Sequence, residues 1–355
     1  MAKVTFNNKD SVFYNSLKTK VENYFRVNKI GVTGNFKLYI KSLTLIPAAL
    51  GIYLALLFIN MNPVIAIVLC TILGLVCSSI GFNVMHDACH GSYSEKKWVN
   101  NFLGLSINCL GGNAFIWKMK HNIIHHTYTN VDGIDDDIRK VPVIRQCESQ
   151  KRLKFHRYQH IYSVLVYALS SFLWVFFLDF VKYFKRKVID VPMNNLNPKE
   201  HIIFWMSKVL YVVFYVAVPI YFVGAIPWLI GFSVFHLVEG FTLAMVFQLA
   251  HVVEDTHFID ANHASQKIEQ EWAVHQVLTT ADFATRNSVI SWFVGGLNFQ
   301  VEHHLFPKIS HVHYPVISKF VRESCLEYNV AYIHYPTLSA AVASHFRFMK
   351  HLGKK

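Results

Sequence analysis

Long apolar stretches alternate with polar, charged stretches along the 355-residue chain. Four of the apolar stretches are long enough to cross a bilayer as helices, namely residues 43–60, 63–84, 202–223 and 227–250. A short uncharged turn joins the first two, and another joins the last two, so the pattern predicts two transmembrane hairpins. Two further apolar stretches contain polar or charged side chains, and we expect them to be re-entrant or interfacial: 99–117 and 161–181.

The other segments are polar and predict the parts outside the membrane. Residues 1–42 are basic, with apolar side chains at helical spacing around Phe13 and Leu17, which is typical of an amphipathic cytosolic segment. Residues 43–320 then form the membrane domain, and residues 321–355 form a cytosolic C-terminal tail. The sequence therefore predicts an all-α integral membrane protein with four transmembrane helices in two hairpins and a cytosolic helical cap.

Composition and charge support this prediction. Hydrophobic residues make up 53% of the chain and charged residues only 16%, which is too apolar for a soluble domain of this length. The net charge of +12 could indicate a nucleic-acid partner, but the basic residues flank the apolar stretches and form no nucleic-acid-binding motif. Both hairpin turns lack charge, so the positive-inside rule puts both termini in the cytoplasm. We expect a lipid bilayer as partner and no nucleic acid.

Candidate chemistry lies in histidine clusters next to the apolar stretches. The clusters are HDACH, HNIIHH and QVEHH, and one more histidine ends the last apolar stretch. Together they supply eight candidate metal ligands: His86, His90, His121, His125, His126, His251, His303 and His304. Imidazole is a common ligand of transition metals, and eight exceed what one ion can bind. The pattern predicts a two-metal site, with all the clusters on the cytoplasmic face.

Spacing within the first two clusters favours ligation from helices. His86 and His90 are four residues apart, so both rings project from one face of a helix. His121 and His125 repeat this spacing. His126 diverges from His125 by about 100°. Adjacent ligands that diverge in this way suit a site in which neighbouring side chains reach different ions.

The type of ligand also indicates the metal and its task. Zinc sites in hydrolases use three or four ligands, whereas many neutral imidazoles with few carboxylates suit iron ions that carry out oxygen chemistry. A lipid tail offers unactivated C–H bonds to such a centre and little that can be hydrolysed. We therefore expect two irons and a lipid substrate.

These clusters resemble the motifs of the membrane fatty acid desaturase family. HDACH, HNIIHHTYTN and GGLNFQVEHHLFP are similar to its HxxxH, HxxxHH and QxxHH boxes, and the resemblance covers about residues 40–320. It implies that the eight histidines bind a di-iron centre, which uses dioxygen and two electrons to remove two hydrogens from adjacent methylenes. Gln300 stands where other branches have a ninth histidine, which makes it a further candidate ligand. This glutamine resembles the front-end branch, which inserts a double bond between an existing one and the carboxyl end.

The resemblance also implies partners. The substrate is then a fatty acyl chain carried by coenzyme A or by a phospholipid. Many front-end desaturases have a fused cytochrome b5 with a His-Pro-Gly-Gly segment, which this sequence does not contain. We therefore expect a separate electron donor of the ferredoxin or cytochrome b5 type, which docks on the basic cytoplasmic face.

Acidic residues near the histidines predict supporting contacts. Four acids are placed to accept the second ring N–H of ligating histidines: Asp87, Glu254, Asp255 and Glu302. His275 is a further candidate for a supporting role. The acidic run at residues 135–137 is typical of a solvated loop rather than of a metal site.

Two other functions fit parts of the pattern. The same iron pair could act as a lipid hydroxylase or ketolase, because removal of the first hydrogen is common to these reactions and to desaturation. A membrane metal transporter with a histidine relay is the third hypothesis. Transport sites lie near the bilayer midplane inside broken helices, whereas these clusters lie at the ends of apolar stretches.

Overall fold

The chain forms two compact units, each built from separate parts of the sequence. The computed structural model describes residues 4–9, 11–138, 142–194, 196–261 and 267–355. The span unit consists of Asn35–Met119 and Val164–Met245. The box unit consists of Met1–Gly34, Lys120–Ser163 and Val246–Lys355, and it contains the second and third histidine clusters.

Among the described residues, four helices are long and apolar enough to cross a membrane: Phe36–Phe58, Pro63–His90, Pro198–Val223 and Ala225–His251. We call them the first to fourth spans in chain order. Short turns join the first span to the second and the third to the fourth. The prediction of an all-α membrane protein with four spans in two hairpins is confirmed. Each span extends past a predicted bound, and the second continues as a helix to His90.

Asparagine caps explain where three of the spans begin. Asn35, Asn62 and Asn197 each accept a backbone N–H of the following turn through the side chain. Pro63 and Pro198 occupy the first turn, where a missing N–H costs no helical hydrogen bond. Hydrophobicity determines the approximate length of a span, and these caps determine its first residue.

Residues 161–181 fall on two helices, Lys154–Ala168 and Ser170–Lys185, which are bent by 57° at the break between them. If the two helices are counted as one, they are long and apolar enough to form one further span, which is broken at the bend. Gly240 of the fourth span lies against the break, where a Cβ atom would be 2.5 Å from the Ala168 carbonyl oxygen. A bent pair of this kind is either a broken span or a re-entrant loop, so the re-entrant or interfacial course of this stretch stays a prediction.

Residues 99–117 fall on helices that are too short to cross a bilayer: Lys97–Gly104, Ser106–Cys109 and Ala114–Lys118. Gly111 adopts a φ of +91° between them, a conformation that favours glycine. Lys208 of the third span donates to the Gly111 carbonyl at 2.6 Å and pairs with Asp179 at 3.2 Å. Polar contacts therefore hold this segment against the spans.

π-Helical turns interrupt four helices, at Gly81–Met85, Met119–His125, Trp174–Leu178 and Val213–Ala217. Such turns are rare and occur often at functional sites. The first of them directly precedes the helix His86–His90, and the second contains most of the second histidine cluster.

The N-terminal helix Val12–Asn28 is part of the core of the box unit. Its buried face consists of Phe13, Leu17, Val21 and Phe25. These side chains pack with Ile317 and Val321 of helix Tyr314–Glu327. Each fully buried side chain of this size stabilises the packing by roughly 1.5–3 kcal/mol. The amphipathic face that the sequence predicts is therefore covered by protein.

The other elements are short. Further helices are Gln159–Ala168, Ser170–Leu173, Asp179–Lys185, Trp272–Leu278, Ser288–Phe293 and Gln300–Leu305. Three two-residue strand pairs of the box unit are parallel: Thr5–Phe6 with Lys267–Ile268, Val131–Asp132 with Ile259–Asp260, and Asp282–Phe283 with His334–Tyr335. The span unit contains one antiparallel pair, Lys187–Val188 with Val191–Pro192.

The C-terminal helix Leu338–Lys354 packs on the 3-10 turn Lys154–Tyr158. Gly353 lies so close to the His156 carbonyl that a Cβ atom would clash with it. His345 donates Nδ1–H to the Val252 carbonyl at 2.7 Å. The last residues of the chain are therefore packed elements of the box unit.

Candidate metal centre

The first histidine cluster ends the second span, in the span unit. His86 and His90 lie on its last turn, with ring centroids 4.7 Å apart. Trp117 lies edge-to-face with both rings, at 5.7 and 5.8 Å. Gly91, at a φ of +78°, ends the helix directly after His90. The four-residue spacing thus brings these two rings together.

The second cluster lies on a π-helical turn, Met119–His125, and His126 begins the short helix that follows. A π-helix brings residues five apart next to each other. The Nε2 atoms of His121 and His126 are accordingly 3.2 Å apart. His125 lies 5.2 Å from His121 between ring centroids. A regular α-helix would keep the rings of His121 and His126 apart, and the wider turn brings them together.

The third cluster lies on helix Gln300–Leu305. The rings of His303 and His304 are 5.5 Å apart and nearly perpendicular, at 83°. Asp282 accepts the backbone N–H of Val301 at 3.0 Å, which fixes the first turn of this helix. Neighbouring histidines on one short helix therefore present their rings in two directions.

Six histidines converge in the box unit: His121, His125, His126, His251, His303 and His304. The ring centroids of His125, His251 and His304 are 4.7–4.9 Å apart. One ring nitrogen from each of these three lies within 4.8 Å of the others. His126 lies 4.6 Å from His303 and 4.4 Å from His304. The fourth span ends at His251 and so brings that ring into the group.

Two of these histidines donate Nδ1–H to side-chain oxygens. His125 Nδ1 donates to the Asp135 carboxylate at 3.0 Å, and His304 Nδ1 donates to Gln276 Oε1 at 2.8 Å. Asp135 and Gln276 are both fully buried. A proton on Nδ1 leaves the lone pair on Nε2, which is the nitrogen that then binds a metal.

Two more histidines are oriented through the same ring atom. His251 Nδ1 donates to the Thr279 carbonyl at 3.3 Å, and His303 Nδ1 lies 3.1 Å from the Tyr314 hydroxyl. The four rings are therefore held through Nδ1, and a metal would bind Nε2 in each of them.

Negative charge surrounds His125. Burial lowers the pKa of His125, but Asp135 and Asp137 outweigh burial and raise it above its usual value. Lys120 forms an ion pair with Asp137. The carboxylates that favour a proton on His125 would also favour a metal cation bound to it.

The surroundings of His125 Nε2 indicate that a metal ion fits between His125, His251 and His304. The atom is buried and has no hydrogen-bond partner among the described residues. A buried nitrogen without a partner is costly, and an ion shared with His251 and His304 would satisfy it. Metal–nitrogen bonds of about 2 Å put ligands on opposite sides of an ion about 4 Å apart, which is close to the observed spread. The donor set fits a transition-metal ion.

Gln300 lies at the edge of the same group. Its Nε2 is 3.0 Å from His251 Nε2. Its Oε1 is buried and has no hydrogen-bond partner among the described residues. Rotation about the last side-chain bond exchanges the amide oxygen and nitrogen, so either atom can face a bound ion.

Two of the acids expected to support the ligands have other partners. Glu254 forms an ion pair with Arg347 at 2.7 Å, and this pair lowers the pKa of Glu254. Asp255 accepts a hydrogen bond from the Tyr335 hydroxyl at 2.9 Å. Both side chains are exposed, and among the described residues neither bonds a box histidine.

The other two acids are buried. Asp87 lies in the last turn of the second span. Glu302 shares a network with Asp282 and the Tyr332 hydroxyl, which lies 3.3 Å from the Glu302 carboxyl. Burial and the Asp282 charge raise the pKa of Glu302 well above its usual value. The network lies at the start of the helix that carries the third cluster.

His275 supports the chain after the second cluster rather than a ligand ring. Its Nε2 donates to the Thr129 carbonyl at 2.9 Å, and burial lowers its pKa to about 4. The neighbouring Gln276 makes the contact with His304. The contact with a ligand ring is therefore made by the residue next to His275.

Four residues that orient the ligands escape sequence reasoning: Asp135, Gln276, Thr279 and Tyr314. Thr279 acts through its backbone carbonyl, for which no side-chain signal exists. Asp135 lies in an acidic run that is typical of a solvated loop, yet it is fully buried. The one available signal is the position of that run, which begins nine residues after His126.

Apolar spans and a buried cluster of imidazoles together define a multi-pass membrane protein with a candidate transition-metal centre. The chain matches the family model described as fatty acid desaturase over residues 62–336. Because this match covers more than half of the chain, the protein belongs to the fatty acid desaturase family and is an oxidoreductase. The resemblance inferred from the histidine boxes is confirmed.

Individual relatives cover nearly the whole chain. It is 34% identical to the sn-1 linoleoyl-lipid 6-desaturase of Synechocystis sp., over 96% of both chains. It is also 34% identical to the protein of that name from Arthrospira platensis, over 99% of this chain and 95% of the relative. The acyl-lipid (8-3)-desaturase of Physcomitrium patens is 35% identical over 96% of this chain and 72% of that protein.

Proposed function

We propose that this desaturase inserts a double bond into the acyl chain of a membrane lipid, with dioxygen and two electrons, at a di-iron centre. The observation that supports it best is the buried group of His125, His251 and His304, in which each Nδ1 is already bonded and His125 Nε2 has no partner among the described residues. Imidazole ligands oriented in this way suit a metal that does redox chemistry.

The ligands in this proposal are the eight box histidines, with Gln300 as a ninth candidate. Iron bound there would supply the activation of dioxygen and the removal of hydrogen from carbon. The protein residues bind and orient: Asp135, Gln276 and Tyr314 fix ring direction through Nδ1. The ligand rings of the box unit are buried, which keeps water away from the reacting carbon atoms.

Front-end regioselectivity and an acyl-lipid substrate belong to the same proposal. The relatives named above are a 6-desaturase and an (8-3)-desaturase, and their names describe acyl-lipid substrates. Gln300 at the start of the third box is the residue of this chain that resembles the front-end branch.

Fatty-acid profiling of a host that expresses the protein tests the activity. The host is supplied with linoleate and other unsaturated fatty acids, and its lipids are analysed by mass spectrometry. We expect products that have lost two hydrogens, with the new bond on the carboxyl side of an existing one. His125→Ala should abolish them, whereas His351→Ala, at an exposed position, should not.

Other outcomes of this experiment separate the alternatives. Products that have gained one oxygen would identify a hydroxylase, and a new bond on the methyl side would contradict the front-end assignment. An unchanged profile with every fatty acid supplied, from protein that is folded and contains iron, would contradict desaturation of these substrates.

We also propose that a separate, acidic electron donor docks on the box unit. Five exposed basic side chains lie where the C-terminal helix packs on the turn Lys154–Tyr158: Lys151, Lys154, Arg157, Lys350 and Lys354. We call them the basic surface. None of the five forms an ion pair in the part of the chain that the structure describes, so their charge can attract a ferredoxin or cytochrome b5.

The histidine boxes and both termini are proposed to be cytoplasmic. Both hairpin turns lack charged residues, while the segments that join the hairpins are rich in Lys and Arg. A cysteine introduced at Met61, in the first hairpin turn, should react with an impermeant maleimide added outside intact cells. A cysteine introduced at Lys355 should stay unreacted, and the opposite labelling pattern would reverse the orientation.

A further inference from the structure

The span unit contains a cavity of about 700 Å³ at the hairpin-turn ends of its helices. Residues from Tyr53 to Leu73 around the first hairpin form one wall, and residues from Tyr215 to Phe235 around the second form the other. None of the described residues that line it is charged. We propose that this cavity binds the acyl chain of a membrane lipid that is not the substrate of the reaction.

Two polar side chains of the wall, Trp228 and Tyr53, are hydrogen-bonded within the protein. Pro219 has no N–H to bond the Tyr215 carbonyl, and Trp228 Nε1 donates to that carbonyl instead, at 2.8 Å. The Tyr53 hydroxyl donates to the Phe214 carbonyl in the same π-helical turn. The aromatic rings thus line the cavity while their polar atoms are already satisfied. Such a wall selects an apolar ligand.

Water and empty space are poor occupants. A water molecule needs several polar partners, whereas most of the side chains that line this wall are apolar. Empty apolar space is unfavourable, because the side chains that line it lose van der Waals contacts. The walls belong to membrane spans, so the surrounding solvent is lipid hydrocarbon, which can fill the space.

A helix from a second copy of the chain is too large for the cavity. One α-helical turn about 10 Å wide and 5.4 Å long occupies roughly 400 Å³. The cavity therefore holds fewer than two turns, whereas a helix that crosses the bilayer has about five. A flexible acyl chain fits, because cavities of 300–1,000 Å³ are the usual size for small-molecule ligands.

The cavity is far from the first histidine box, which lies in the same unit. Ala66 lines it, and His86 lies on the same continuous helix. At 1.5 Å per residue, these two positions are about 30 Å apart. An acyl chain bound in the cavity therefore lies near the opposite side of the bilayer from the first histidine box. This site is independent of the proposed reaction, and either proposal can fail without the other.

Photo-labelling tests the inference on the full-length protein in lipid nanodiscs. The probe is phosphatidylcholine with a diazirine near the end of one acyl chain, and labelled peptides are identified by mass spectrometry. We expect labelling concentrated in peptides that contain residues 53–73 and 215–235. Labelling spread evenly over all lipid-facing surfaces would overturn the proposal.

Ala66→Phe puts a ring into the cavity and takes up part of its volume, and Val68→Phe on the same helix is the matched control. Val68 is 50% exposed and does not line the cavity. We expect Ala66→Phe to lower the labelling of these peptides at least fivefold and Val68→Phe to leave it unchanged. Equal labelling of the two variants would contradict the proposal. Fatty-acid profiles of both variants should match that of the wild type.

Competition between lipids separates the acyl chain from the headgroup and needs no variant. Unlabelled phosphatidylcholine, phosphatidylglycerol and a galactolipid with the same acyl chains are added in turn. We expect equal protection from labelling, because no charged group lines the cavity. Protection by one headgroup alone would show that the headgroup, and not the chain, is recognised, and would overturn the inference.

Discussion

Ring orientation at the metal centre depends on residues that are not ligands. Asp135, Gln276 and the Thr279 carbonyl each accept an Nδ1–H from a box histidine. These acceptors fix the tautomer, so Nε2 carries the lone pair that binds metal. Loss of such a partner typically lowers metal affinity or activity 10–100-fold.

Asp135→Asn should weaken iron binding by about 10–100-fold, because the amide keeps the size of the side chain and removes its charge. Iron retained by the purified protein after dialysis against increasing chelator gives the measurement. Asp255→Asn is the matched control, since Asp255 is exposed and bonds Tyr335. Equal iron retention by both variants would show that Asp135 does not orient His125.

At the level of single residues, the sequence predicts the candidate ligands better than the residues that orient their rings. His86 and His90 are recognisable because helical spacing alone puts them on one face. Asp135 is not recognisable, because its burial depends on how a polar loop folds back against His125. Gln276 is missed by one position, since the sequence does not show which side of its helix faces His304.

Helix geometry at the second box differs from a regular α-helix. The π-helical turn Met119–His125 pairs His121 with His126 at 3.2 Å between Nε2 atoms. Sequence spacing predicts the α-helical pair four residues apart and does not reveal the wider turn. Hydrophobicity predicts that each span exists. The residues at which the first and third spans begin depend instead on the helix caps Asn35 and Asn197.

Gly240→Ala should destabilise the span unit, because its Cβ would lie 2.5 Å from the Ala168 carbonyl oxygen at the break between two helices. Overpacking of this kind costs about 1–3 kcal/mol. Gly51→Ala is the matched control, with nothing within 4 Å of its Cβ. Thermal unfolding in detergent should show a lower midpoint for Gly240→Ala alone. An unchanged midpoint would mean that the helices separate there without cost.

His345 should make the box unit sensitive to acid. Burial lowers the pKa of His345 to about 4, below the usual 6.5. The unfolded chain binds more protons between these values, so the stabilisation is complete above pH 6.5 and is lost as the pH falls towards 4. At pH 5 the loss is about 2 kcal/mol.

The measurement is the unfolding midpoint of the wild type and of His345→Gln between pH 7.5 and 4.5. Glutamine can still donate to the Val252 carbonyl and does not titrate. The midpoint of the wild type should fall more steeply with acid than that of the variant. His351→Gln, at an exposed position, should follow the wild type. Parallel curves for wild type and His345→Gln would refute this account.

The assembly of the box unit from three separate chain segments is the feature that sequence patterns predict least. The sequence predicts separate terminal segments at residues 1–42 and 321–355. In the structure, helices Val12–Asn28 and Leu338–Lys354 both pack within the box unit. Hydrophobic periodicity shows that a helix has an apolar face. It does not show which distant segment covers that face.

Charge reversal on the basic surface should weaken donor docking. Lys350→Glu is expected to raise the KM for reduced ferredoxin several-fold with little change in kcat, because electrostatic attraction speeds association. The difference should shrink as salt screens the charges. Lys319→Glu, an exposed lysine outside the basic surface, is the control. An equal KM for both variants would place the docking site elsewhere.

Metal analysis of the purified protein, combined with Mössbauer spectroscopy of iron-57-labelled samples, tests the metal centre most directly. The account predicts two irons for each chain, in coupled high-spin sites with nitrogen ligands, and a loss of both signals in His125→Ala. One iron for each chain, or zinc at full occupancy in active protein, would contradict it.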